Sequence, residues 1–386
     1  MLLILPVFFA FGWLAARADI KQLVDESSAL PRSYFQGLNF LLNEQQDKAI
    51  DAFIEVVKVD PQTVELHFAL GGLFRRRGEI DRALRMHLNL VQRADLPPAK
   101  KEQALFELAQ DYLKAGILDR AESTFRELLG TPYAKQALDF LLELHQKEKD
   151  WLKAVDVAQQ LMQLTGESHS QEAAFFYAEL AAAELAGGRE TSARAFLQQA
   201  LTVDPQSVRA SILLGDVELA AGQPQRAIDA WRQVEQQNPQ YLALVAERLL
   251  QAYRALLQEN QAVALLRHYQ AHYPSIDLMN VLFDYTLAQD GAEAAYTLVR
   301  DELKRAPSLL GLDKLLEARL LDFSGERRAD VELVKQLIHQ RTRGLAMYRC
   351  TQCGFKARQF HWHCPACHGW GTYPPRRTEE TGPSTS

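Results

Sequence analysis

Between residues 30 and 343 apolar positions recur three and four residues apart, the spacing of one face of a helix. No stretch keeps the two-residue alternation of a half-buried strand. A small residue followed four positions later by a mostly apolar one returns at a nearly constant interval. The small residues are Ala49, Ala83, Ala121, Ala154, Ala193, Ala227, Ala262, Ala295 and Ala329, at successive intervals of 34, 38, 33, 39, 34, 35, 33 and 34. Four residues further on stand Phe53, His87, Phe125, Ala158, Leu197, Trp231, Leu266, Val299 and Leu333. Prolines follow twelve residues after the alanine at Pro61, Pro205, Pro239, Pro274 and Pro307, where the missing N–H ends a helix. Glycines precede it by twelve at Gly37, Gly71 and Gly215, where two helices of one hairpin need close approach.

A period near 34 with this pattern is that of the tetratricopeptide repeat (TPR), a pair of antiparallel helices. One hairpin cannot bury its apolar face, but a stack can. The pattern predicts an all-α TPR superhelical solenoid over residues 30–343, with about nine hairpins. The fourth, eighth and ninth depart most from the pattern. Pro97-Pro98 fill the first long interval, and Gly166-Glu167-Ser168 sit in the second. The first helix of each hairpin lines a concave groove suited to peptides or partner helices.

The chain start differs. Leu2 to Ala16 carry no charge. Fifteen helical residues reach roughly 22 Å, short of the ~30 Å hydrocarbon core, a mismatch that local thinning accommodates. Small residues at Ala15, Ala16 and Ala18 fit a cleaved signal peptide, but no basic residue precedes Arg17, as a signal peptide requires. The expectation is a retained transmembrane helix over residues 1–17 and a linker over 18–29. Arg17 and Lys21 on its C-terminal side place the body in the cytoplasm.

At the other end, Cys350 and Cys353 are separated by two residues, as are Cys364 and Cys367, with ten residues between the pairs. Two CxxC turns facing one another build a tetrahedral four-sulfur site, with every position filled and none left for catalysis. Residues 347–373 are expected to form a small rubredoxin-like or zinc-ribbon module around one metal ion. Zinc and iron fit this donor set equally. Gly354 follows the first pair, where positive φ is needed, and His368 takes the matching place after the second. His361, His363 and His368 are read as surface or supporting groups. The aromatics Phe355, Phe360, Trp362, Trp370 and Tyr373 are expected to dock in part on the last hairpin, because so short a segment buries too little alone. Residues 374–386 read as a disordered tail.

The chain is 47% hydrophobic and 24% charged, as a folded protein is. Its net charge of −6 is unevenly spread: Arg341 to Arg377 hold seven of the 43 basic residues and no acidic one. All four cysteines lie in the C-terminal module, a usage that fits a reducing compartment better than a disulfide framework. His67, His87, His145, His169, His268, His272 and His339 form no ligand spacing. No paired carboxylates, phosphate loop or nucleophile triad stands out, so no catalytic residues are assigned and no enzyme is expected. Arg75, Arg76 and Arg77 are candidate groove charges, but they precede Gly78, where cations complement a helix C-terminus. The basic, aromatic module leaves nucleic-acid binding or iron redox chemistry as alternatives.

The apolar start, GLNFLLNEQQDKAID at Gly37–Asp51, LGGLFRRRGEIDRALRMH at Leu70–His87, and YRCTQCGF with WHCPACHGW near the end resemble the lipopolysaccharide assembly protein B family of Gram-negative inner membranes. The resemblance implies a membrane-anchored cytoplasmic adaptor with metal ligands at Cys350, Cys353, Cys364 and Cys367. It implies action with the membrane protease FtsH to limit the lipid A deacetylase LpxC. The ten-residue gap is shorter than in electron-transfer rubredoxins and argues against a redox role.

Overall fold

The computed structural model describes residues 32–43, 45–59, 64–322 and 326–380. The predicted membrane anchor at 1–17 and the linker at 18–29 lie outside the described residues. No helix among those described is long and apolar enough to cross a membrane. The chain divides into two compact units, residues 1–148 and 149–386.

The first unit contains α1 (Arg32–Leu42), α2 (Gln46–Val59), α3 (Val64–Arg77), α4 (Ile80–Gln92), α5 (Pro98–Ala115), α6 (Leu118–Glu127) and α7 (Ala134–Glu148). The second begins with α8 (Trp151–Thr165) and continues through α9 (Ser170–Ala186), α10 (Glu190–Val203), α11 (Val208–Ala220), α12 (Pro224–Gln237), α13 (Leu242–Ala255), α14 (Glu259–His272), α15 (Ile276–Asp290), α16 (Ala292–Arg305), α17 (Leu309–Asp322) and α18 (Glu326–Thr342). Within each unit consecutive helices pack into hairpins, and each hairpin packs on the next. Four of the repeat prolines, at 205, 239, 274 and 307, stand two residues beyond the last residue of α10, α12, α14 and α16. Pro98 opens α5 as its first helical residue, and Gly166 closes α8 in the left-handed conformation.

The repeat positions form the core. The first eight alanines of the alignment are fully buried, and so are the residues four later, from Phe53 to Val299. A Cβ built on Gly37, Gly71 or Gly215 would run into Phe53, His87 or Trp231 respectively. Each glycine therefore makes the space that the large side chain of its hairpin partner fills. Trp231 donates its indole N–H to the Ile212 carbonyl at 3.0 Å, which satisfies its one polar group. The ninth repeat departs from the rule: Ala329 is exposed, and Leu333 is 57% exposed.

His87 holds the large-residue position of the second hairpin with a polar ring. Its Nδ1 lies 2.5 Å from the Asp111 carboxylate, which also accepts from Arg75 at 2.9 Å. Arg75 bonds Glu107 at 2.5 Å as well. These groups join α3, α4 and α5, so Arg75 belongs to the packing between hairpins. Arg77 pairs with Asp47 of α2 at 2.7 Å and with Glu79 at 2.9 Å. Gly78 ends α3 with φ +84°, as a helix C-terminus demands.

Two adjacent glycines test the interlock. Gly71→Ala should cost about 1–3 kcal/mol through overpacking against His87. Gly72→Ala, whose Cβ meets nothing within 4 Å, should gain about 0.5–1 kcal/mol from lost backbone freedom in the unfolded chain. Urea unfolding of the two variants checks this, and equal shifts would contradict the packing described.

Candidate metal centre

The C-terminal module is built on two turns of the same design. In the first, the Gly354 N–H donates to the Cys350 carbonyl at 3.1 Å, and the Cys350 N–H to the Phe355 carbonyl at 2.9 Å. In the second, His368 donates to Cys364 at 2.9 Å, and Cys364 to Gly369 at 3.0 Å. The chain must enter the left-handed region after each pair. Gly354 does so at φ +77°, and His368 does so at +57° despite its side chain. The antiparallel strands β1 (Tyr348–Arg349) and β2 (Lys356–Ala357) close the first turn, pairing Tyr348 with Ala357 and Arg349 with Lys356.

The turns bring the four predicted ligands together. Sγ of Cys350 lies 3.7 Å from that of Cys367, and Cys353 Sγ lies 3.7 Å from Cys364 Sγ. All four sulfurs fall within 4.8 Å of one another. A tetrahedral ion with metal–sulfur bonds of about 2.3 Å requires sulfurs about 3.8 Å apart, so the donor set fits one zinc or iron ion. No histidine joins this cluster. His363 packs its ring 4.4 Å from Trp370, and burial holds its pKa below the ordinary imidazole value.

The thiols are not equivalent. Burial resists ionisation of Cys350, but the Thr372 hydroxyl and the amides of Cys353 and Gln352 outweigh it and draw the thiol down to about 6. Cys353 receives the Phe355 amide, yet desolvation and the three neighbouring sulfurs push it up to about 12. Four sulfurs this close compete for charge until a cation takes all of them as thiolates. Thr372, which the sequence reading passed over, stands 3.4 Å from the Cys350 sulfur and supports the site from outside.

The module's aromatics are spent on the helices of the second unit. Trp362 lies parallel to Tyr241 at 5.3 Å, with the Arg209 guanidinium 5.5 Å over its ring. Trp370 stacks on Phe175 at 5.1 Å and meets Trp151 edge-on at 6.1 Å. Docking therefore reaches α8, α9, α11 and the 3-10 turn Pro239–Tyr241, well beyond the last hairpin that the sequence suggested.

The stretch read as a disordered tail is also held as far as Glu380. Arg377 grips Asp277 with Nε and Nη2 at 2.9 and 2.8 Å and lies 4.1 Å over the Tyr348 ring. Tyr348 donates its hydroxyl to the same carboxylate at 2.8 Å. Glu380 accepts the first N–H of α15, from Ile276, at 3.1 Å. Glu379 accepts from Leu309 at 2.5 Å and Leu310 at 3.1 Å at the start of α17. Two carboxylates thus cap two helix N-termini, where orphan N–H groups and the dipole favour negative charge. Composition gave no sign of this, because the partners lie far away in sequence. Residues 381–386 lie outside the described residues.

A second cluster, in the first unit, escaped the spacing argument. His145 is fully buried, with Nε2 3.9 Å from Glu122 and Nδ1 3.7 Å from Glu148. Glu122 also accepts from Arg126 at 3.0 Å, so its charge is already met there.

Two expectations follow for the module. His368→Gly should slow metal loss to a chelator, and His368→Val should hasten it, because left-handed backbone costs a residue with Cβ about 1–2 kcal/mol. Arg377→Ala should weaken docking by about 2 kcal/mol while leaving one metal per chain. Tryptophan fluorescence reports the docking, and metal analysis reports the site; loss of both in Arg377→Ala would sink this separation.

The rubredoxin metal binding domain model matches residues 348–375, and tetratricopeptide repeat models match residues 36–96 and 184–247. Lipopolysaccharide assembly protein B of Escherichia coli (strain K12) is 35% identical over 380 residues, covering 98% of each chain. The protein of that name from Haemophilus influenzae (strain ATCC 51907 / DSM 11121 / KW20 / Rd) is 33% identical over 397 residues, again covering 98% of each. A tetratricopeptide repeat protein from Parabacteroides merdae ATCC 43184 overlaps at TM-score 0.34 and 15% identity, covering 75% of this chain and 100% of that one. The first two relatives carry the assignment: this chain belongs to the lipopolysaccharide assembly protein B family.

Proposed function

We propose that this protein is an inner-membrane-anchored adaptor with its body in the cytoplasm, and that it lowers lipopolysaccharide synthesis by presenting the deacetylase LpxC to the protease FtsH. The single observation that carries the reading is full-length kinship with lipopolysaccharide assembly protein B at 35% identity. Helical hairpins supply binding surface suited to peptides or partner helices. Tethering raises the local concentration of a client near a membrane protease without any new contact. Cys350, Cys353, Cys364 and Cys367 hold one structural metal ion in this scheme. The module then acts as a brace: its folding depends on the ion, and its aromatics and Arg377 tie it to the helices.

The alternatives lose ground on the same contacts. A nucleic-acid platform needs free aromatic faces, but Trp362 and Trp370 are stacked on the protein and Arg377 is spent on Asp277. A redox role would not explain why a four-sulfur site is fixed to six elements of the repeat array.

Depleting the protein should lengthen the cellular half-life of the deacetylase. Wild type should restore it, Cys364→Ser should not, and Arg377→Ala should do so in part. An unchanged half-life on depletion would remove the deacetylase as client, and full rescue by Cys364→Ser would remove the metal module from the mechanism.

A further inference from the structure

Among the described residues the ninth repeat leaves one side of α18 without a neighbour. In the eight preceding repeats the alanine and the residue four later are buried. In α18 their counterparts Ala329 and Leu333 are exposed, as are Val334 at 46% and Leu337 at 55%. The opposite side of the helix is engaged. Thr342 is buried, Lys335 reaches Glu317 of α17 at 3.7 Å, and His339 reaches Asp313 at 3.3 Å. After Thr342 the chain turns into the metal module, and among the described residues no further hairpin covers the face.

The order of side chains on this face says what fits it. Asp330, Val334, Leu337 and Arg341 are spaced by four, three and four residues and form one exposed stripe. The stripe has an acid at its N-terminal end, a base at its C-terminal end and two apolar residues between. Turned end for end, it is its own complement. With two copies of α18 antiparallel, each Val334 meets the Leu337 of a second copy, and each Asp330 meets the Arg341 of a second copy. Antiparallel placement also opposes the two helix dipoles. Such self-matching is what a two-fold symmetric contact requires, since each patch must recognise itself. Among the described residues neither Asp330 nor Arg341 forms an ion pair within the chain, so both charges are available to a second copy.

We propose that the protein dimerises through an antiparallel contact between the α18 helices of two copies, with Val334 and Leu337 at its centre and Asp330–Arg341 pairs at its ends. Leu333 flanks the seam and broadens the apolar strip. A contact confined to one helix pair lies at the small end of interfaces, below about 1,200 Å², so the association is reversible and micromolar in order. It also couples two metal modules, because each begins only a few residues after its α18.

Sedimentation velocity on the full chain, in a density-matched detergent and over about 1 to 100 µM, tests this. Wild type should pass from monomer to dimer over that range, and Leu337→Glu should weaken the association at least about tenfold. Asp330→Arg alone and Arg341→Asp alone each place like charges opposite one another and should stay monomeric. Mixed together they should pair, because each then offers the other an opposite charge at both ends. Circular dichroism and metal content, unchanged in all three variants, verify folding. A wild type that stays monomeric throughout overturns the proposal. So does a dimer indifferent to Leu337→Glu, or a failure of the two charge variants to pair on mixing.

Discussion

The structure rests on the inability of a single helical hairpin to bury its own apolar face. Each of the first eight repeats carries a buried small residue against which a backbone can close and, four residues on, a second buried side chain. Where the partner helix supplies glycine, the filler is large: Phe53 against Gly37, Trp231 against Gly215. Such an interlock has no slack for an added methyl group, and it fixes the stacking of one hairpin on the next within each unit. It also accommodates a polar ring at one large-residue position. His87 in the large-residue position is matched by Asp111 and Arg75 from neighbouring helices, which ties three helices together.

The metal module obeys the same limit by different means. About 26 residues cannot enclose a core of useful size, so four sulfurs and an ion take the place of one. The remaining apolar surface, chiefly Phe360, Trp362 and Trp370, packs half-buried against helices and the 3-10 turn of the second unit. Arg377, Glu379 and Glu380 then fasten the end of the module to the starts of α15 and α17. These contacts link the ion to the repeats mechanically. The two turns that the ion would hold carry the aromatic rings and the strap that cross several hairpins.

How far the sequence could be read follows from the range of each interaction. The period of 34, the alanine register and the helix-ending prolines were legible because each is a local pattern repeated many times. The two CxxC turns were legible because four ligands of one ion lie within eighteen residues, and His368 in the glycine place of the second turn was anticipated from the first. The stretch from Pro374 to Glu380 was misjudged because Pro, Thr and Glu read as solvated chain. Only tertiary structure could put Arg377 beside Asp277, one hundred residues away, or Glu379 at the first N–H groups of α17.

The sequence by itself thus determined the helical-repeat class, the clustering of four cysteines and the family, all of which rest on residue types at short, fixed separations. Tertiary structure decided which helices the module's aromatics cover, which carboxylates cap which helices, and which apolar positions remain open in α18. Those outcomes depend on where elements end in space. A consensus leucine such as Leu333 is core only when another helix lies over it, and residue spacing cannot report whether that neighbour exists.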